Sequence, residues 1–68
     1  MKRAQFVRRL RKYCRNHGLT VSVDAARGKG SHVTVQIGAH RTIVKDGELA
    51  PGYVRMVLRQ LGLPEDAA

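Results

Sequence analysis

From Lys2 to His17, the residues Phe6, Val7, Leu10, Tyr13 and Cys14 recur at the three- and four-residue spacing that gathers side chains on one face of an α-helix. Arg3, Arg8, Arg9, Arg11, Lys12 and Arg15 fill most of the remainder, so the predicted helix is amphipathic with a basic outer face. Asn16, His17 and Gly18 end it, because a glycine just past a helix accepts the left-handed conformation that closes off the last carbonyls. The period then changes to two. Leu19, Val21 and Val23 alternate with Thr20, Ser22 and Asp24, the pattern of a half-buried strand, and a loop follows from Ala25 to Gly30. Between Ser31 and Ile37 the alternation returns. Val33, Val35 and Ile37 take the core side and leave His32, Thr34 and Gln36 on the other. Gly38, Ala39 and His40 form a turn into a third strand, Arg41 to Val44, and Lys45 to Glu48 turn out of it. Pro51 opens a second helix, whose stripe of Val54, Val57, Leu58 and Leu61 runs until Gly62 and Pro64 stop it. Glu65 to Ala68 is expected to fray.

The predicted order is α-β-β-β-α, an α+β fold with a three-stranded antiparallel sheet, since short connections between consecutive strands favour that pairing. Both helices must bury their stripes. The simplest packing sets them side by side on one face, against Leu19, Val21, Val23, Val33, Val35 and Ile37, and leaves the opposite face polar and open. His32 falls on that open face. No repeat, linker or low-complexity segment divides the chain, so residues 1–68 read as one domain.

Size and charge narrow the function. A chain of 68 residues buries only about 60% of the surface it exposes unfolded, so nearly every aliphatic side chain is needed for the core. Little remains for a deep substrate pocket, which argues against a metabolic enzyme. Thirteen Lys and Arg against five Asp and Glu give a net charge of +8, and the natural partners of such a surface are polyanions. No apolar run approaches the roughly 18 residues that would suggest a membrane span, and none behind the basic N-terminus makes a signal peptide. The expectation is a soluble, cytoplasmic chain with no membrane partner. Cys14 is the single cysteine. It excludes an internal disulfide or a thiolate zinc cluster, and its place on the apolar stripe reads as structural.

Arg27, Gly28, Lys29 and Gly30 combine two glycines that let a backbone approach a phosphate with two cations that neutralise it. The loop leads into a strand, not a helix, so it is no Walker-type loop. A solvated turn and a contact to a nucleic-acid backbone both fit it. His32 follows at once, and an imidazole that gains and loses protons near neutrality can serve RNA cleavage through attack by the 2′-hydroxyl. An inert surface histidine fits the same position. His17 and His40 read as helix-end and turn residues, and a tight turn would bring His40 to the face of His32. Asp24, Asp46, Glu48, Glu65 and Asp66 are scattered, without paired-carboxylate or metal-ligand spacing, so any catalysis expected here is acid–base work with no cofactor. The basic face of the first helix suits a solvated surface, RNA attraction or an acidic protein.

Two segments, "GKGSHVTV" at Gly28 to Val35 and "GELAPGYVRMVLRQLGL" at Gly47 to Leu63, carry a resemblance to the HicA-type mRNA interferase toxins of bacterial toxin–antitoxin systems, whose fold is like the double-stranded-RNA-binding domain. The order and length of the elements resemble that family as well. The resemblance implies a metal-independent endoribonuclease acting on mRNA, with His32 as the catalytic histidine. It also implies a HicB-type antitoxin partner that occludes the site. Arg27, Gly28, Lys29, Gly30 and Ser31 would then hold the RNA backbone, with Lys29, joined by Lys45, offsetting the charge that develops on the phosphate. Family members often carry a proline and a histidine before the last helix, where this chain reads Ile43-Val44-Lys45-Asp46-Gly47. The competing expectations are a small basic RNA-binding module without catalysis and an arginine-rich protein-interaction module.

Overall fold

The computed structural model describes residues 1–25 and 32–68. Its elements follow the predicted order: α1 (Arg3–Asn16), β1 (Val21–Asp24), β2 (Val33–Ile37), β3 (His40–Val44) and α2 (Pro51–Gln60), with a final 3₁₀ turn at Glu65–Ala67. The sheet is antiparallel with β2 in the centre, so sequence neighbours are also sheet neighbours. Val33, Val35 and Ile37 are buried on the helix side together with Phe6, Leu10 and Cys14 of α1 and Val54, Val57 and Leu58 of α2, in one continuous core. Both helices therefore lie on one face of the sheet.

Each helix closes in the same way. His17 caps α1, Gly18 takes φ +69°, and the Leu19 N–H reaches back 2.8 Å to the Cys14 carbonyl; Leu61, Gly62 at φ +72° and Leu63 repeat the arrangement on α2, with the Leu63 N–H 2.9 Å from the Leu58 carbonyl. These are six-residue closures of the Schellman type. They correct the expectation for Leu19. Its backbone is committed to ending the helix, so β1 starts two residues later and the Leu19 side chain stays 40% exposed, outside the core.

The start of α1 is held by the stretch between β3 and α2. The Arg3 N–H donates to the Gly47 carbonyl at 3.3 Å, which gives one orphan donor of the first helical turn a partner where no side chain caps it. The Leu49 N–H donates to the Met1 carbonyl at 2.7 Å, and the Leu49 side chain is buried. The Met1 ammonium lies 2.6 Å from Glu48 Oε2, and that hydrogen bond and charge hold the Glu48 carboxyl below its usual range.

Two further expectations change, for His40 and for the tail, and Thr42 adds a polar contact between sheet and helix. His40 belongs to β3 and pairs with Ile37, which sets it on the helix side of the sheet. Thr42, next on that side, is buried, and its hydroxyl donates to Gln60 Oε1 of α2, so a polar residue joins sheet to helix within the core. The tail does not fray: Glu65–Ala67 makes its turn and buries Ala67 against the core.

Two outcomes check this packing. A Cβ at Gly62 would lie 2.8 Å from His40 Nε2, whereas nothing lies within 4 Å of one at Gly18. Gly18→Ala should cost about 1–2 kcal/mol from its left-handed backbone alone. Gly62→Ala should cost more, and His40→Ala should remove the excess in a double-mutant cycle read by urea denaturation. Burial pushes the Cys14 thiol up and lowers its thiolate fraction. Disulfide-exchange labelling should therefore be at least about tenfold slower in the native protein than in the denatured chain.

Candidate nucleic-acid interface

The two-residue period of β2 decides what the open face carries. With Val33, Val35 and Ile37 inward, Thr34 and Gln36 point the other way, and the register sets Ser22, Gln36 and Arg41 in one row across the sheet and Asp24, Thr34 and Ile43 in the next. Ser22, Asp24, Thr34, Gln36 and Arg41 line a shallow polar depression of about 260 Å³. Hydroxyls, an amide, a carboxylate and a guanidinium thus converge on a surface without a buried apolar pocket, an arrangement suited to hydrogen bonding with an extended polar ligand.

His32 is exposed and stands immediately before β2, whose ladder begins at Val33, so it sits at the entrance of the strand and not within it. Continued one residue back, the alternation puts it on the side of Thr34 and Gln36. The β2–β3 register ends with Val33 paired to Val44, so His32 and Lys45 each adjoin that last pair along the chain. The fold therefore brings these two site candidates to one end of the sheet. Arg27, Gly28, Lys29, Gly30 and Ser31, expected to contact the RNA backbone, lie outside the described residues.

Lys45 is held from two directions. Its backbone N–H donates to Tyr53 Oη at 3.0 Å, and its ammonium lies 5.0 Å from the centroid of the Tyr53 ring, within reach of a cation–π contact. Tyr53 comes from the first turns of α2, so this helix positions a cation beside the end of the sheet where His32 stands. Its sequence signal was the apolar side of α2; that its hydroxyl would serve the β3 terminus was not visible there.

His40 does not reach the face of His32. His40 pairs with Ile37, the last residue of β2, whereas His32 precedes its first. The five residues of β2 span roughly 16 Å at about 3.3 Å each. His40 also faces the helices and packs against Gly62. His17 is the helix-end residue expected, with its ring stacked on Tyr13 at a centroid distance of 4.0 Å.

Arg41 was not among the candidates from sequence. Its signal was present, since it alternates with Thr42 as Ile43 does, but placing His40 in the turn left the parity of β3 open. The carboxylates are dispersed as expected: Asp46 lies 3.6 Å from Arg3, Glu48 meets Met1, and Glu65 is 4.0 Å from Arg55. Among the described residues no three His, Cys, Asp or Glu side chains gather as a metal site, and no helix is long and apolar enough to cross a membrane.

Comparison with protein-family models, with curated proteins and with solved structures returns no match to this chain.

The contact to Tyr53 gives a test of how Lys45 is placed. Tyr53→Phe should cost about 0.5–1.5 kcal/mol by removing the acceptor of the Lys45 N–H. Tyr53→Leu should cost more, because it also removes the ring beneath the ammonium. Chemical denaturation reads both, and amide exchange at Lys45 should accelerate in each.

Proposed function

We propose that this chain is a metal-independent endoribonuclease of the HicA type, a toxin that cleaves mRNA and is restrained by a HicB-type antitoxin protein. The observation that carries the reading is the exposed His32 just before the central strand, beside a sheet face lined by Ser22, Asp24, Thr34, Gln36 and Arg41. The sequence motif around His32 and the order of elements support it. So does the net charge of +8, which draws a polyanion to the surface.

In this reading RNA lies along the open face in extended form. Thr34, Gln36 and Arg41 hydrogen-bond to it, and Arg27 and Lys29 with the glycines of their loop hold phosphates, as the resemblance implies. His32 takes the proton of a 2′-hydroxyl as that oxygen attacks the adjacent phosphorus while water protonates the departing 5′-oxygen, or it protonates that oxygen while water takes the 2′-proton; the P–O5′ bond breaks in either case. The products are a 2′,3′-cyclic phosphate and a free 5′-hydroxyl, so atoms and charge balance with water as the only further participant. Lys45 stabilises the negative charge that builds on the phosphate oxygens in the transition state. A protein lying over the sheet face would stop the reaction by covering His32.

The test is incubation of the purified chain with end-labelled single-stranded RNA in the presence of chelator. Cleavage should persist, and His32→Ala should slow it by about 10²–10⁴-fold, the usual contribution of a positioned acid or base. A folded His32→Ala protein that cuts as fast as the parent would overturn the assignment. RNA that is bound in a salt-sensitive manner but stays intact would instead identify a binding module.

A further inference from the structure

The helix side of the sheet is unevenly covered. Val33, Val35 and Ile37 are buried there, whereas Val21 and Val23 on the same face of the edge strand β1 are only half-buried, as is Val7 on the flank of α1. Val7, Val23 and the edge of Val33 line a groove of about 800 Å³ together with Arg3, Arg8, Arg9, Arg11, Lys12 and Arg15 of α1. Among the described residues no acidic side chain and no aromatic ring lines it. Among the described residues, Val7 and Val23 thus form a small apolar strip beside the core, ringed by the cations of α1.

We propose that this groove docks an acidic, amphipathic segment of a partner protein. Its apolar side chains cover Val7, Val23 and Val33, and its carboxylates meet Arg8, Arg11 and Lys12. The chemistry of the lining favours protein over nucleic acid. A phosphate backbone laid over valines would lose hydration without gaining a hydrogen bond, and the groove offers no aromatic face on which a base could stack. A segment with leucine-like side chains on one side and carboxylates on the other satisfies valines and cations together. Arg8 lies three and four residues before Arg11 and Lys12, so the cations rise one helical turn apart and can engage successive carboxylates. The groove is on the helix side of the sheet, a different surface from the face assigned to RNA, and the inference does not rest on His32 chemistry.

The experiment uses the full chain and a fluorescently labelled synthetic peptide with glutamates on one face and leucines on the other, read by anisotropy. The peptide should bind. The triple variant R8E/R11E/K12E should weaken it by about tenfold or more, as loss of complementary charge does at interfaces. Exchanging the leucines of the peptide for serines should weaken it comparably. Circular dichroism checks the fold, and R8Q/R11Q/K12Q provides a milder variant that should also lose affinity. His32→Ala should bind the peptide as the parent does, so failure of the ribonuclease reading would leave this result standing. Equal binding of the serine peptide, indifference to both triple variants, or displacement of the peptide by saturating single-stranded RNA would each overturn the proposal.

Discussion

Val33, Val35 and Ile37 sit on the central strand beneath both helices, and their burial is the constraint on which the other positions depend. A strand has a period of two, so once these three point inward Thr34 and Gln36 cannot. A slip of one residue would expose all three apolar side chains, and for a chain with so small a core that loss would be decisive. The pairing of β2 with both neighbours then carries the same choice across the sheet. Ser22 and Asp24 on one side, and Arg41 and Ile43 on the other, join the open face because β2 leaves them no alternative.

Around this centre, polar backbone groups that the core cannot satisfy are met by contacts distant in sequence. The first turn of α1 lacks a side-chain cap, and the Gly47 carbonyl accepts the Arg3 N–H instead. Leu49 and Met1 add a second tie, and Tyr53 accepts the N–H of Lys45 where the β3 ladder ends. These ties fasten the connection between β3 and α2 at both ends. That connection contains Lys45, so the contacts that complete two helices and a strand also hold one candidate cation against Tyr53.

The cations of the chain serve two different surfaces. Arg41 lies on the open sheet face among hydroxyl, amide and carboxylate groups and Lys45 lies over the Tyr53 ring, while Arg8, Arg11 and Lys12 line a groove together with valines on the helix side. Net charge treats these groups alike and predicts only attraction to anions. Their surroundings separate them. Polar neighbours fit a ligand that is itself polar throughout, whereas an apolar lining adds affinity only for a ligand with an apolar side of its own.

The alternation and helical spacing in the sequence were enough to determine the element order and the burial of Phe6, Leu10, Cys14, Val33, Val35, Ile37, Val54, Val57, Leu58 and Leu61, because those are local periodicities. Of the expected site, Arg27 to Ser31 lie outside the described residues, and His32 stands exposed just before β2. The fate of Leu19 was not legible: an alternating pattern and a helix closure competed for one residue, and the backbone hydrogen bond to Cys14 decided it. His40 and Thr42 were likewise settled by pairing partners, which turn chemistry alone does not reveal. Burial of Ala67 and Leu49, the contact of Tyr53 with Lys45 and the half-covered valines beside α1 arise from elements far apart in the chain. Only tertiary structure could decide them, since a side chain's local pattern states which face it takes but not what, if anything, lies against that face.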